Sequence, residues 1–199
     1  ESVVDSPLVR LDELERKIEI FLGVIQHERT FRARTRNVGH LSTEQVRRYC
    51  VVGPVARASG VDVDLRRDAP YAAYDRLRFK VITSDEGDVW ARALVRTLET
   101  VESVHLCRQL LTELPDGPAS ISAPRRVPPG EVVSRGEAPR GELVYYIRSD
   151  GSDSPARIKI RTPTLTTLIT LPVQLRGVNT ADVPVVLADV DLCIACADR

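Results

Sequence analysis

Asp191-Leu192-Cys193-Ile194-Ala195-Cys196-Ala197-Asp198-Arg199 are the last nine residues of the sequence, and the rest of the chain is read from them. Two thiols three positions apart can bind one edge of a metal. A zinc ribbon or finger needs a second pair of Cys or His ligands at a set distance. The two other cysteines, Cys50 and Cys107, have no Cys or His at such spacing. The pair therefore reads as half of a metal site whose other half lies elsewhere. By itself it reads equally well as a redox dithiol or an orphaned zinc half-site.

Upstream of this pair the pattern is helical first and stranded later. Leu11, Leu14, Ile18, Phe21, Leu22 and Ile25 recur at helical spacing between charged residues, which predicts an amphipathic helix of about five turns. Ser42 or Thr43, followed by Glu44 and Gln45, starts a shorter helix. The longest helix is predicted over 85–114, on Trp90, Leu94, Leu98, Val101, Val104, Cys107 and Leu111, and Pro115-Asp116-Gly117-Pro118 stops it. Pro124, Pro128 and Pro129 with Arg125-Arg126 make 119–130 an exposed loop. Three short strands follow, at 131–136, 142–148 and 156–161, with 149–154 as the turn between the last two. Residues 164–176 return to helix or mixed structure, and 181–190 form a short apolar helix. The fold class is α+β, mainly α, in a single domain over 1–199, with a small antiparallel sheet near the C-terminus.

Composition excludes several classes of function. Formal charge is zero, with 28 basic and 28 acidic residues, so there is no electrostatic case for nucleic acid. Aromatics at 5% give no base-stacking surface. No apolar run approaches the roughly 18 to 20 residues of a membrane helix. Four irregularly spaced cysteines make no disulfide framework, which points to a reducing compartment. No glycine loop fits a dinucleotide or phosphate fingerprint. Glu1-Ser2-Val3-Val4-Asp5 has neither a Met nor a signal pattern, so the expectation is a fragment or one piece of a split subunit.

Several motifs, in order, carry a resemblance. They are Gly53-Pro54-Val55-Ala56-Arg57-Ala58-Ser59-Gly60, Asp64-Leu65-Arg66-Arg67-Asp68-Ala69-Pro70-Tyr71, Glu137-Ala138-Pro139-Arg140-Gly141-Glu142, Ser149-Asp150-Gly151-Ser152, Arg161-Thr162-Pro163-Thr164 and Ala181-Asp182-Val183-Pro184. With Asp191 to Cys196 they resemble the C-terminal half of a NiFe-hydrogenase large subunit of the membrane-associated, energy-converting type. That family is homologous to the D-type large subunit of respiratory complex I, which shapes its quinone site. The resemblance runs from about position 40 to Arg199.

The resemblance implies a Ni-Fe centre with diatomic ligands on iron. Two C-x-x-C pairs hold it in the family, one near each end of the subunit, and the N-terminal pair is not in this sequence. Cys193 is then the terminal nickel ligand and Cys196 the bridging one, suited to a soft metal. Arg140 matches the arginine that donates to a cyanide, a role for a rigid fork of N–H groups. Pro139 matches the apolar wall, and Thr164 after Pro163 falls where a hydroxyl donates to the second cyanide. The alternative for Arg140 is a surface pair with Glu142, worth little by itself. Leu192 departs from the family, which has a proline before the first ligand, and this predicts a looser backbone there. The resemblance makes a chain stopping at Arg199 the expectation for a processed subunit or for one made without an extension, and Asp198 and Arg199 read equally as a frayed, solvated end.

The resemblance also implies partners and a place. The partners are an iron–sulfur small subunit carrying iron–sulfur clusters, membrane subunits, H2 and protons, and in the complex I branch a quinone. The place is the cytoplasmic peripheral arm of a membrane-bound complex. Nicotinamide chemistry would belong to a partner. Arg57, Asp64, Arg66, Arg67, Asp68 and Tyr71 read equally as a subunit-facing stretch or a salt-bridged loop, with no catalytic role. His27 and His40 have no ligand-like partners, His105 reads as a hydrogen-bonded packing residue, and Cys50 and Cys107 as small buried apolar groups. Three functions compete. The first is H2 oxidation or evolution with electron transfer to the iron–sulfur subunit. The second is a NADH-quinone oxidoreductase large subunit shaping a quinone site. The third is a catalytically silent assembly subunit. This chain alone is expected to be inactive.

Overall fold

Asp88 decides where the longest helix begins. A computed structural model describes residues 5–118 and 120–198, so Glu1 to Val4 and the processed-end reading of Arg199 lie outside the described residues. In it, Asp88 caps a helix running Val89–Thr112, its carboxylate accepting from Ala91 N–H at 2.8 Å and from Asn37 N–H at 2.8 Å. The helix therefore begins one turn later than the expected start at Asp85. Gly87 sits at φ +64°, and a Cβ there would lie 2.3 Å from the Leu41 carbonyl oxygen, so the chain enters the helix through a bend.

The helices precede the sheet. They are α1 (Asp5–His27), α2 (Arg29–Thr35), α3 (Thr43–Arg48), the short α4 (Pro54–Arg57) and α5 (Leu65–Asp68), and α6 (Val89–Thr112). The sequence signalled α1, α3 and α6. It did not signal α2, which begins where the Glu28 carboxylate accepts from Phe31 N–H at 2.5 Å. The start of α3 is a full capping box: Gln45 N–H donates to Ser42 Oγ at 3.2 Å, and Ser42 N–H to Gln45 Oε1 at 2.9 Å. α1 and α6 pack antiparallel, since Trp90 Nε1 donates to the Ile25 carbonyl at 2.9 Å while, at the other end, Arg108 pairs with Asp12 at 2.6 Å. Ile25, Ala58, Trp90, Ala91 and Val95 make one core, and Leu41, Val46, Val51, Val55 and Ala56 a second beneath α3 and α4. Leu14 and Phe21, expected on the buried face of α1, are exposed.

The sheet is a three-stranded antiparallel meander, β1 (Gly130–Ala138), β2 (Gly141–Ser149) and β3 (Arg157–Arg161), in the order β1-β2-β3. Ala138 pairs with Gly141, leaving Pro139-Arg140 as a two-residue loop. After it come α7 (Pro163–Leu168), α8 (Leu171–Gln174), a 3-10 turn (Thr180–Asp182), α9 (Val183–Asp189) and α10 (Ile194–Ala197). The stretch over 164–176, expected as helix or mixed structure, is two short helices, and the expected helix over 181–190 is a 3-10 turn continued by α9. The architecture is mainly helical with a small sheet near the C-terminus, as the periodicity indicated.

Two expectations about side chains fail. Cys50 and Cys107 are exposed, not buried. Cys50 sits at φ +52° where the chain leaves α3, and Cys107 lies on the outward side of α6. His105 is hydrogen-bonded, to Glu15 at 3.2 Å, but 43% of its side chain is exposed, so it belongs to a surface cluster with Arg108 and Glu102 more than to packing.

Candidate functional site

Arg140 stands at the tip of the β1–β2 hairpin, and the tip is clamped to α4 by backbone. Gly53 (φ +72°) and Gly141 (φ +125°) approach so closely that a Cβ on Gly53 would lie 2.3 Å from the Arg140 carbonyl oxygen. A Cβ on Gly141 would lie 2.7 Å from Gly53 N. Only glycine admits both that backbone and that contact. The loop therefore cannot drift from the helical body.

From this anchored tip the guanidinium reaches the C-terminal segment. Arg140 Nε donates to the Asp191 carbonyl at 2.6 Å and Nη2 to Asp191 Oδ1 at 2.8 Å. Glu142, the surface-pair alternative, instead pairs with Arg135 at 3.2 Å and with Arg161. Asp191 is held at φ +53°, a left-handed conformation that Asp tolerates better than most residues. The looser backbone expected from Leu192 is countered here, because the Arg140 fork ties down the residue just before it.

The same segment is tied from below by α6. The fully buried Arg92 pairs through Nε with Asp189, at the end of α9, and donates to the carbonyls of Gly87 and Gly39 at 2.9 Å each. Arg96 pairs with the other Asp189 oxygen at 2.8 Å. Asp189 and Asp191 thus both hold the chain that leads into Cys193.

Cys193 caps α10 and Cys196 lies on its single turn. The Cys193 thiol is held below its ordinary value, first by a hydrogen bond with the Cys196 side chain, then by the Cys196 backbone N–H and, after burial's small opposing effect, the charge of Arg140. The two sulfurs are therefore close together on one side of the turn. α7 packs against α10, and Thr162 Oγ1 donates to the Cys196 carbonyl at 2.8 Å. Pro163 and Thr164, the first residues of α7, are buried there. The Thr164 hydroxyl is buried with no hydrogen-bond partner among the described residues, a costly state unless something accepts from it.

These residues fit one wall of a thiolate-held metal centre. They supply two adjacent sulfurs, a cationic fork anchored beside them, and an orphaned hydroxyl behind. Among the described residues no group of three or more His, Cys, Asp or Glu is arranged to hold a metal ion. Cys193 and Cys196 could by themselves supply one pair of ligands and no more.

Behind the hairpin tip lies a cavity of about 390 Å³ whose walls include Arg57, Arg66, Glu99, Glu137, Pro139 and Asp191. The polar stretch seen in the sequence is here; it is salt-bridged, and at Arg57 and Asp64 it is also buried, both being 1% exposed. Arg57 forks onto Glu99 at 2.5 and 3.1 Å, and its Nη1 donates to Glu137 Oε1 at 2.9 Å and to the Val63 carbonyl at 3.1 Å. Arg66 binds Asp64 at 2.9 and 2.6 Å and lies over the Phe79 ring at 5.0 Å. Arg67 and Asp68, by contrast, form an exposed pair at 2.7 Å. Burial alone would raise Asp64, but the Arg66 hydrogen bonds and the Arg57 charge outweigh it and hold that carboxyl below its usual range. Burial pushes the Glu137 carboxyl up despite Arg57. Tyr71 contributes through its hydroxyl, which accepts from Glu137 N–H at 2.9 Å.

Of the residues picked from the sequence, the structure brings Arg140, Cys193 and Cys196 into one corner, with Pro139 on the adjoining cavity and Pro163 and Thr164 behind α10. The sequence did not single out Glu99, Asp189, Asp191 or Arg92, nor a role for Glu137. Arg92 is the legible one of these, an arginine flanked by Ala91 and Ala93 where the first two turns of α6 are otherwise apolar.

Comparison with known proteins shows the family of the chain. The family described as Respiratory-chain NADH dehydrogenase, 49 Kd subunit, matches residues 2–129 and 121–199. The carbon monoxide-induced hydrogenase of Rhodospirillum rubrum is 41% identical over 96% of this chain and 53% of its own length. A D-type subunit of NADH-quinone oxidoreductase from Herpetosiphon aurantiacus is 40% identical over 90% of this chain and 50% of its own length. A chain of a membrane-bound sulfane sulfur reductase, an archaeal respiratory membrane complex, superposes with a TM-score of 0.89 at 32% identity, over 98% of this chain and 56% of that one. This chain spans about half the length of the curated relatives it matches. No helix among the described residues is long and apolar enough to cross a membrane. By sequence and by fold alike, the chain belongs to the oxidoreductase family of the respiratory-chain NADH dehydrogenase 49 Kd subunit.

Proposed function

We propose that this chain forms part of the catalytic subunit of a membrane-associated NiFe-hydrogenase, in which Cys193 and Cys196 supply one thiolate pair to a Ni-Fe centre. The observation that carries this reading is the meeting of the two sulfurs beside Arg140, with the buried, unsatisfied Thr164 hydroxyl on the helix packed behind them. Such a centre, when bound, supplies the cleavage or formation of H2. Diatomic ligands on its iron would suit the Arg140 N–H groups that Asp191 leaves free and the O–H of Thr164. Pro139 walls the adjoining cavity with a group that cannot donate a hydrogen bond. Electrons pass to an iron–sulfur small subunit, and membrane subunits complete the assembly.

The chain's own residues have three tasks in this reading. Arg140 keeps a fixed positive charge beside the thiols, which favours their deprotonated, ligating form. Asp191 aims that guanidinium, and the Gly53–Gly141 contact holds its position. A second reading, a quinone-site large subunit, is supported by the similarity to the D-type NADH-quinone oxidoreductase subunit of Herpetosiphon aurantiacus. The cysteine pair separates the two readings, because quinone chemistry has no use for adjacent thiolates.

The test is metal content of the full-length subunit, co-expressed with its small subunit and maturation proteins, beside Cys193→Ser and Cys196→Ser. Nickel and iron near one each, lost in both variants, support the hydrogenase reading. A folded subunit without nickel overturns it and leaves the quinone-site and silent-assembly readings.

A further inference from the structure

We propose that Glu137 is a proton-holding residue of this site, taking up and releasing a proton at the cavity between the Arg57 cluster and the Pro139–Asp191 corner. The inference rests on the catalytic reading above, since it assigns Glu137 the exchange of protons with that corner.

Its first support is a count of charges in a confined space. Three carboxylates, Asp64, Glu99 and Glu137, face two guanidiniums, Arg57 and Arg66. Every one of these side chains is at most 13% exposed. One carboxylate is therefore in excess where a lone buried charge is expensive. Asp64 is spoken for by the two-point contact with Arg66, and Glu99 takes the Arg57 fork through both of its oxygens. Glu137 is left with a single 2.9 Å contact to an Nη1 that also serves the Val63 carbonyl. It holds its charge least firmly, and burial pushes its carboxyl up in agreement with that ranking.

The second support is position. Glu137 is two residues from Pro139 and three from Arg140, on a strand end pinned by Tyr71 and by the Gly53–Gly141 contact. Its side chain and Pro139 line the same cavity, as does Asp191. The remaining charged or titratable groups facing it are accounted for. From α4 comes Arg57, from α5 and its approach Asp64 and Arg66, and from the following loop Tyr71 and Tyr74. From α6 come Glu99 and the more exposed Arg96 (24%), which shares Asp189 with Arg92. The step is a simple exchange: hydronium in the cavity gives its proton to a Glu137 carboxylate oxygen and leaves water, and release reverses it. Arg57 stays charged on Glu99 throughout.

The experiment uses the assembled complex with its full-length subunit, as wild type, Glu137→Gln, Glu137→Asp and Glu99→Gln, followed by pH-difference infrared spectroscopy in H2O and D2O. Wild type is expected to show the C=O stretch of a protonated carboxylic acid, shifted in D2O, titrating above the ordinary carboxylate range. Glu137→Gln should lose that band, while Glu137→Asp and Glu99→Gln retain one. In the same samples, turnover of Glu137→Gln should fall on the order of 10²-fold, the lower end for a positioned proton donor, with substrate KM unchanged. A band untouched by Glu137→Gln overturns the proposal, and so does unaltered turnover. If Glu137→Gln fails to assemble, Glu137→Asp still decides, since a titrating band that does not move on shortening the side chain belongs to another residue. Metal content of the wild-type complex separately reads the catalytic assignment, so a band present without nickel sinks that assignment and not the titration of Glu137.

Discussion

Arg140 grips Asp191 at two points, the backbone carbonyl at 2.6 Å and Oδ1 at 2.8 Å, and thereby joins the tip of a β-hairpin to the residue two positions before Cys193. The two residues are 51 apart in sequence. A fork of this kind needs planar, diverging N–H donors, which lysine lacks. Arg140→Lys should keep the charge and lose the aim. Turnover is expected to drop by at least roughly tenfold, a loss of about 1.4 kcal/mol in the barrier, while nickel content stays near wild type. Parallel loss of metal would mean that the fork builds the site and does not merely tune it.

Thr164 separates a structural from a functional hydroxyl. Its Oγ1 is buried without a partner among the described residues, so Thr164→Val removes a group the fold does not use. Stability of the subunit should change by less than about 1 kcal/mol, because an apolar replacement relieves an unsatisfied donor. In the Ni-Fe reading proposed above, turnover should fall and the infrared bands of the diatomic ligands on iron should shift. A stability loss of several kcal/mol with unchanged bands would place an unseen structural partner on Thr164.

Arg57 is a hub whose removal strands charges. It is 1% exposed and binds Glu99, Glu137 and Val63 at once. Arg57→Ala is expected to cost about 3–5 kcal/mol in denaturant unfolding of the subunit, the range for breaking one partner out of a buried ion cluster. A cost under about 1 kcal/mol would show that water replaces the guanidinium.

The two glycines at the hairpin tip make a steric prediction. Gly53→Ala and Gly141→Ala each put a methyl against backbone, at 2.3 and 2.7 Å, on a positive φ. Each should destabilise by about 1–3 kcal/mol and displace Arg140, read as a loss of turnover out of proportion to the loss of stability. Unchanged turnover in a stable Gly53→Ala variant would mean that the tip adjusts freely.

Acid stability should show two opposite contributions. The Asp64 carboxyl is held below its ordinary value in the fold, so its contribution is present above the unfolded pKa and is lost as pH falls through the lower folded one. Glu137 is raised, so its ionised form weakens the fold, and that penalty lifts as pH falls through its folded value. Unfolding free energy followed from neutral to acid pH should therefore hold or rise slightly before it falls. Glu137→Gln should flatten the first part and Asp64→Asn the last. A single monotonic fall, identical in both variants, would count against this assignment of the two carboxyls.

A family resemblance singled out Arg140, Cys193 and Cys196; the sequence by itself determined the mainly helical class, the long α6 and the three strands. Those readings rest on local physics. Apolar spacing, capping by Ser42 and Gln45, proline stops and the C-x-x-C turn all act within a few residues of one another. The boundaries that failed did so where a distant contact intervened, as when Asp88, which also accepts from Asn37 N–H 51 residues away, capped α6 and set its start a turn later. Only the tertiary structure decided who pairs with whom. Arg140 chose Asp191 over Glu142, the neighbour two residues on, because the clamped loop aims it at the C-terminal segment. Glu137 and Glu99 met on Arg57 because β1 and α6 close on the same buried guanidinium. Charge partners of this kind carry no period and no spacing in the sequence, since their free energy depends on burial and distance, and both exist only once the chain has folded.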